Sequence, residues 1–350
     1  GCVEAADVIF MILCCCGTFG VVVKTGAFHA GIGTILKKLK GKEILLVPII
    51  MMIFGLGGSV FGMASEFYGF YPLIVGLGVA LGYDAMFGFA IIAVGEFVGF
   101  MGATLNPYSV GIAQTISGVE LYSGTGYRAI CFVIFMAISI IYVMVYGRKI
   151  KKNPGASVVF GEKNIHAFDR DELNEYSFTL KDGLVLLDVL VVLVVLMLGL
   201  IKWGWDFPQL CGFLLMSMIA AAICKWSPNK WCSEFIDSAK TAMWGCILTG
   251  IAKAITVVMQ DAQIMDTVIY GLSNVLKNAP HAVSAQVMLV VQTLINFFIP
   301  SATGQASATM PIMAQLADII GVSRQTAVLA FQFGDGLSNI FWPTADIVII

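Results

Sequence analysis

Five acids lie in or beside long apolar runs: Glu66, Asp84, Glu96, Asp335 and Asp346. A carboxylate at the centre of a bilayer costs about 2.5–3.5 kcal/mol or more, so each is a candidate for ion or substrate contact. Asp84 follows Gly82 and Tyr83 and reads instead as a helix cap at an interface. Lys253 stands out as the base deepest in apolar sequence, a substrate counter-ion or the structural partner of an acid. Hydroxyls and amides cluster near these acids. Ser59 and Ser65 sit in GLGGSVFGMASE (55–66), Thr104 and Asn106 in GATLNP (102–107), and Ser301, Thr303, Ser307 and Thr309 in PSATGQASAT (300–309). Ser338 and Asn339 follow Asp335, and Thr344 follows Pro343.

Breaks of this kind inside apolar helices expose backbone groups. The N-terminus of a half-helix suits a carboxylate, and unwound carbonyls suit Na+. On this reading Ser65, Glu66, Thr104, Asn106, Ser307, Thr309, Asp335, Ser338 and Asn339 are expected to contact substrate. Ser59, Glu96, Thr303 and Thr344 are expected to serve a coupling ion, with Na+ the candidate. Two plainer readings stay open. Small residues let helices pack closely, and the asparagines can cap the broken helices.

Enzyme chemistry finds no footing. Gly55, Gly57 and Gly58 form no nucleotide loop, because no alternating strand–helix pattern surrounds them. His29, His166 and His281 are scattered and mark neither a triad nor a metal site. The nine cysteines lie mostly in apolar runs without zinc-type spacing, so they read as small buried hydrophobes. No metal site and no organic cofactor is expected.

Over 350 residues the chain is 59% hydrophobic and 12% charged, with a mean hydropathy of +0.90. Soluble domains are about 25% charged, so a water-soluble enzyme is excluded. Lys+Arg 20 against Asp+Glu 22 leaves no basic excess for nucleic acid. The expected class is an all-α polytopic membrane protein in contact with the lipid bilayer. No secretory signal is visible. The chain begins at Gly1 and stops within an apolar run after Asp346, so truncation at both ends is expected.

The elements that must position these residues follow from hydropathy. Residues 5–23 read as a first span, and 24–43 as an interfacial helix with a basic face. Residues 44–81 hold two apolar arms about a polar tip. Each arm of about 15 residues covers roughly 22 Å against a core of about 30 Å. The arms are two short spans or one re-entrant hairpin, and the short arms with an acidic tip favour the hairpin. Residues 85–116 read as a helix broken near Asn106 and Pro107, and 129–145 as a further span. Residues 148–182 are a polar linker. Spans at 184–201, 207–224 and 242–259 follow, with amphipathic stretches at 231–239 and 261–280. A second hairpin (283–320) and a second broken segment (324–350) close the chain.

The two halves, 1–147 and 183–350, repeat the order span, interfacial helix, hairpin, broken segment. GMASE (62–66) corresponds to GQASA (304–308), and TLNP (104–107) to Ser338 and Asn339 with Pro343. Basic residues concentrate at 24–42 and 148–181 and at Lys225 and Lys230, which places those segments on the cytoplasmic side. The halves then come out inverted, with the first hairpin opening from the cytoplasm and the second from outside. Paired discontinuous helices in inverted halves point to a transporter's midplane site.

FIPSATGQASATMP (298–311), FGDGLSN (333–339) and GATLNP (102–107) resemble the YfcC branch of the anaerobic C4-dicarboxylate carrier (DcuC-like) family, which is related to the p-aminobenzoyl-glutamate transporters of the ion transporter superfamily. The resemblance covers nearly the whole chain. It implies a homodimer with scaffold and transport domains, opposed hairpins and elevator-type alternating access. It also implies longer relatives, so that 183–350 is a truncated second repeat. The implied substrates are C4-dicarboxylates or amino acids, basic ones included. The expected function is secondary transport of a small charged metabolite in a bacterial inner membrane, driven by Na+, H+ or exchange. An intramembrane enzyme or ion channel is the alternative.

Overall fold

The computed structural model describes residues 2–39, 43–161, 178–202, 212–264, 267, 270–271 and 283–345. All regular elements among them are helical: α1 (Ala6–Lys24), α2 (Ala27–Leu39), α3 (Leu46–Leu56), α4 (Tyr71–Ala80), α5 (Ala85–Met101), α6 (Ile112–Ser117) and α7 (Thr125–Lys152). The second half holds α8 (Leu180–Lys202), α9 (Phe213–Ile223), α10 (Pro228–Lys240), α11 (Met243–Asp261), α12 (Ser284–Phe298), α13 (Ala302–Ile319) and α14 (Arg324–Ser338). Most of 261–280, the Lys40 and Lys42 part of the basic face, and Asp346 lie outside the described residues.

Helix α1, with 19 residues, and α7, with 28, are each long and apolar enough to cross a bilayer. α7 leaves Ile130, Ile134, Ile138, Ile141 and Val145 exposed along its length. Such a ridge suits lipid contact, since apolar helices gain nothing by hiding from hydrocarbon.

Two three-helix units form the centre. In the first, α3 and α4 lie on either side of α5; in the second, α12 and α13 both lie against α14. The central helices α5 and α14 then meet each other. Their approach needs Gly336, because a Cβ there would stand 2.6 Å from the Met101 nitrogen. Gln332 adds a tie by donating from Nε2 to the Phe100 carbonyl at 2.6 Å. The units interlock further along the chain. Short α6, which follows the break in the first half, lies against α13 of the second, and Ala113 joins the core of Met288, Ile295, Met310 and Phe331. A third core, centred on Cys15, Phe19, Val185, Phe213 and Met216, joins α1, α8 and α9.

Local sequence explains the breaks. α3 runs into a π-helical turn, Gly57–Phe61, and stops at Gly62 in the left-handed region at φ 68°. A 3-10 turn, Ser65–Phe70, leads into α4, where Pro72 sits in the first turn. Proline is tolerated there because that N–H has no helical partner. Asp84 is indeed a cap: Oδ1 accepts from the Phe87 nitrogen at 2.7 Å. Its other oxygen accepts from Tyr146 and Ser157 hydroxyls, each at 2.6 Å, and so fastens the end of α7. α10 is the amphipathic stretch read around Trp231, and Ser227 caps it.

Candidate functional site

The first half of the site forms where the turn after α3 meets the break after α5. The chain leaves helix at Gly102 and resumes it at Pro107, with Asn106 as the cap. Asn106 Oδ1 accepts from the nitrogens of Tyr108 and Ser109 at 2.9 and 3.1 Å, and its Nδ2 donates to the Gly58 carbonyl at 3.3 Å. Ser59 completes the junction. Its carbonyl accepts from the Thr104 and Leu105 nitrogens at 2.8 and 3.2 Å. Its hydroxyl donates to the Gly102 carbonyl at 3.1 Å and lies 3.2 Å from the Thr104 hydroxyl. Ser59, Thr104 and Asn106 are therefore one buried polar unit. Gly62 is required beside it, since a Cβ there would run into the Asn106 amide.

Glu96 stands apart from that unit. It is 0% exposed and accepts from the Tyr71 hydroxyl of α4 at 3.1 Å. The side chains of Ser65 and Glu66 lie outside the described residues.

The second half of the site is an amide network between α12, α13 and α14. Gln305 Nε2 donates to Gln292 Oε1 at 2.7 Å and to its carbonyl at 2.8 Å. Gln292 Nε2 donates to the Thr309 hydroxyl at 3.1 Å. Asn296 is the hub. Oriented to satisfy its neighbours, its amide nitrogen donates to Gln305 Oε1 at 3.0 Å, the Ile299 carbonyl at 3.1 Å and Asp335 Oδ1 at 3.2 Å. Its oxygen accepts from Ser338 Oγ at 2.8 Å, and the Asn339 side chain lies 2.7 Å away. Asp335 is 0% exposed, and its Oδ2 has no hydrogen-bond partner. A buried carboxyl with one free oxygen is poised to take a proton, a cation or an ammonium group.

Thr309, Asp335, Ser338 and Asn339 are thus brought together, while three other expected residues are not. Ser307 is exposed and donates back to the Thr303 carbonyl at 2.8 Å. Thr344 is buried with its hydroxyl unpartnered, apart from the network. Thr303 lies at the start of α13 and donates to the Tyr108 carbonyl at 3.0 Å. That last bond joins the halves: both hairpin turns reach the segment 102–109.

Sequence reasoning missed Gln292, Asn296 and Gln305. The signal was present: Gln292 with Asn296, and Gln305 with Thr309, are polar pairs at i,i+4 in otherwise apolar arms, and that spacing puts each pair on one helix face. It also missed Arg128. Lys253, read as the deepest base, is only half-buried on α11, whereas Arg128 is 1% exposed. Arg128 escaped notice because it stands in a polar loop at the start of a span.

An all-helical, strongly apolar chain with paired helix breaks and buried amide networks defines a polytopic membrane protein of the transporter class. The chain belongs to the C4-dicarboxylate anaerobic carrier (DcuC) family, whose sequence model matches residues 1–350. It is 35% identical over 353 residues to the Escherichia coli protein named "Putative basic amino acid antiporter YfcC", covering 97% of this chain and 70% of that one. It is 30% identical over 354 residues to an uncharacterized protein of Haemophilus influenzae, covering 100% of this chain and 70% of that one. Among solved structures, the Alcanivorax borkumensis YdaH transporter aligns over 97% of this chain and 76% of its own at a TM-score of 0.46 and 14% identity. Neisseria gonorrhoeae MtrF aligns over 95% and 71% at 0.45 and 15%.

Proposed function

We propose that this chain is a secondary active transporter for a small charged metabolite, an amino acid or a C4-dicarboxylate. It works as a homodimer in a bacterial inner membrane by elevator-type alternating access, coupled to Na+ or H+ or to exchange. One observation carries the reading: turns from the two halves converge on one helix break and the turn that follows it, through Ser59 with Thr104 and through Thr303 with Tyr108. Non-helical backbone at membrane depth is tolerated only where protein or a cavity surrounds it, and such breaks are where transporters hold substrate. The turn at Pro107 offers N–H groups and helix dipole to a carboxylate. The carbonyls of the break suit a cation.

Charge favours an amino acid over a dianion. The buried acids Glu96 and Asp335 would repel a second carboxylate in a low dielectric, whereas an amino group would pair with one of them. The name of the Escherichia coli relative, an antiporter of basic amino acids, points the same way; the family's description names the dicarboxylate alternative. The test is uptake into proteoliposomes, with and without Na+, across amino acids and dicarboxylates. Uptake of at least one class is expected, and failure to move any charged metabolite under every gradient would overturn the reading.

A further inference from the structure

We infer that Arg128 is a carboxylate-binding residue of the transport path, its guanidinium fork taking an acid group of the substrate beneath the turn 122–125.

The inference rests on the transporter reading above and names the chemistry of one subsite. Arg128 stands in the first turn of α7 and is 1% exposed. Among the described residues its side chain makes two long hydrogen bonds, both from Nη2 at 3.4 Å, to the Thr104 carbonyl and the Thr125 hydroxyl. Nε and Nη1 have no hydrogen-bond partner. Among the described residues it forms no ion pair; those formed are Lys24 with Glu234, Lys240 with Asp237 and Arg324 with Asp318. Arginine stays protonated in proteins. A buried cation without a counter-charge is strongly disfavoured unless it gains an anion for part of its working cycle.

The surroundings fit an anion. Gly124 is exposed, at φ 71°, directly above the guanidinium. The turn packs closely on these side chains: a Cβ at Gly124 would collide with Gln325 Nε2 at 2.6 Å and stand 3.6 Å from Arg128 Nη1. Gln325 Nε2 itself donates to the Ser123 carbonyl at 2.8 Å, so the free donor edge under this turn is that of Arg128, at Nε and Nη1. The Arg128 partner Thr104 also belongs to the Ser59–Asn106 unit, so a carboxylate here lies beside the break and not at a remote surface. The planar fork matches a carboxylate in two parallel hydrogen bonds, which a point charge cannot reproduce. The same site serves an amino acid and a dicarboxylate, because both present an acid group.

Two acid–amide pairs test it: L-lysine with L-lysinamide and succinate with succinamate, competed in proteoliposomes against whichever acid the wild type moves. Arg128→Gln should raise the KM of that acid roughly tenfold or more and erase its advantage over the amide. Arg128→Lys should recover charge but little of the acid preference. A purely structural arginine predicts otherwise: lower folded yield and Vmax with the acid-over-amide ratio unchanged, and that result overturns the inference while leaving the transporter reading intact. A wild type that moves no charged metabolite under any gradient overturns both. If neither variant folds, phenylglyoxal labelling of the wild type, read at Arg128 by peptide mass spectrometry, decides. Protection by saturating acid but not amide supports the site, and labelling unchanged by the acid overturns it.

Discussion

Both ends of the Asn106 amide are engaged: the oxygen caps the turn at Pro107, and the nitrogen holds the Gly58 carbonyl of the neighbouring hairpin. The capping reading of this residue thus holds, with a tie to the neighbouring turn beside it. Replacing it by Ala removes a helix cap worth about 0.5–2 kcal/mol and frees the break from the hairpin. We expect Asn106→Ala to lower the melting temperature measurably and to abolish uptake; full uptake at wild-type rate would show that the cap alone mattered. Asp335 makes the contrasting case. Asp335→Asn keeps the volume and a hydrogen bond within the network, so folded yield should hold while transport is lost. A variant that transports normally, measured beside its yield by size-exclusion chromatography, would reduce Asp335 to a structural group.

Between helices, the decisive contact is α5 against α14. It is made by backbone approaching backbone at Gly336 and Met101, and nothing larger than hydrogen fits. Gly336→Ala should cost about 1–3 kcal/mol by overpacking, read as a lower melting temperature in detergent, with the helix content of both halves retained by circular dichroism. An unchanged melting temperature would mean that the two central helices slide apart at little cost. The arms themselves are held differently. α3 and α4 both pack on α5, whereas α12 and α13 pack on α14 and are also tied to each other through Gln292 with Gln305 and Thr309.

For the whole molecule, the joint between Thr303 and Tyr108 is where α13 of the second half touches the turn that follows the first half's break. If transport requires these parts to separate and rejoin, locking them should stop it. In a background stripped of the nine native cysteines, Thr303→Cys with Tyr108→Cys should cross-link with a short thiol reagent and arrest uptake, and reduction should restore it. Cross-linked protein that transports at full rate would contradict relative movement at this joint. The interlocking of α6 with the second unit bears on the same point, because it puts the break at 102–106 between two cores and not inside one.

Hydropathy and residue type alone determined the helical class, the break at Asn106 and Pro107 and the cap at Asp84, whereas the joining of Ser59 to Thr104, 45 residues away, came only with the fold. The class, the break and the cap are local: an apolar run length, a proline and a capping side chain act within a few residues and leave the same trace in any context. Tertiary structure alone decided which polar residues became partners. Gln292, Asn296 and Gln305 looked like ordinary polar residues in apolar arms until α12 and α13 were laid against α14, and Ser307, one position from buried Ala306, turned outward. Arg128 looked like a solvated loop charge until Thr104 and Gln325 closed over it. Burial of a side chain depends on what packs above it, often hundreds of residues away in sequence, and no local pattern carries that information.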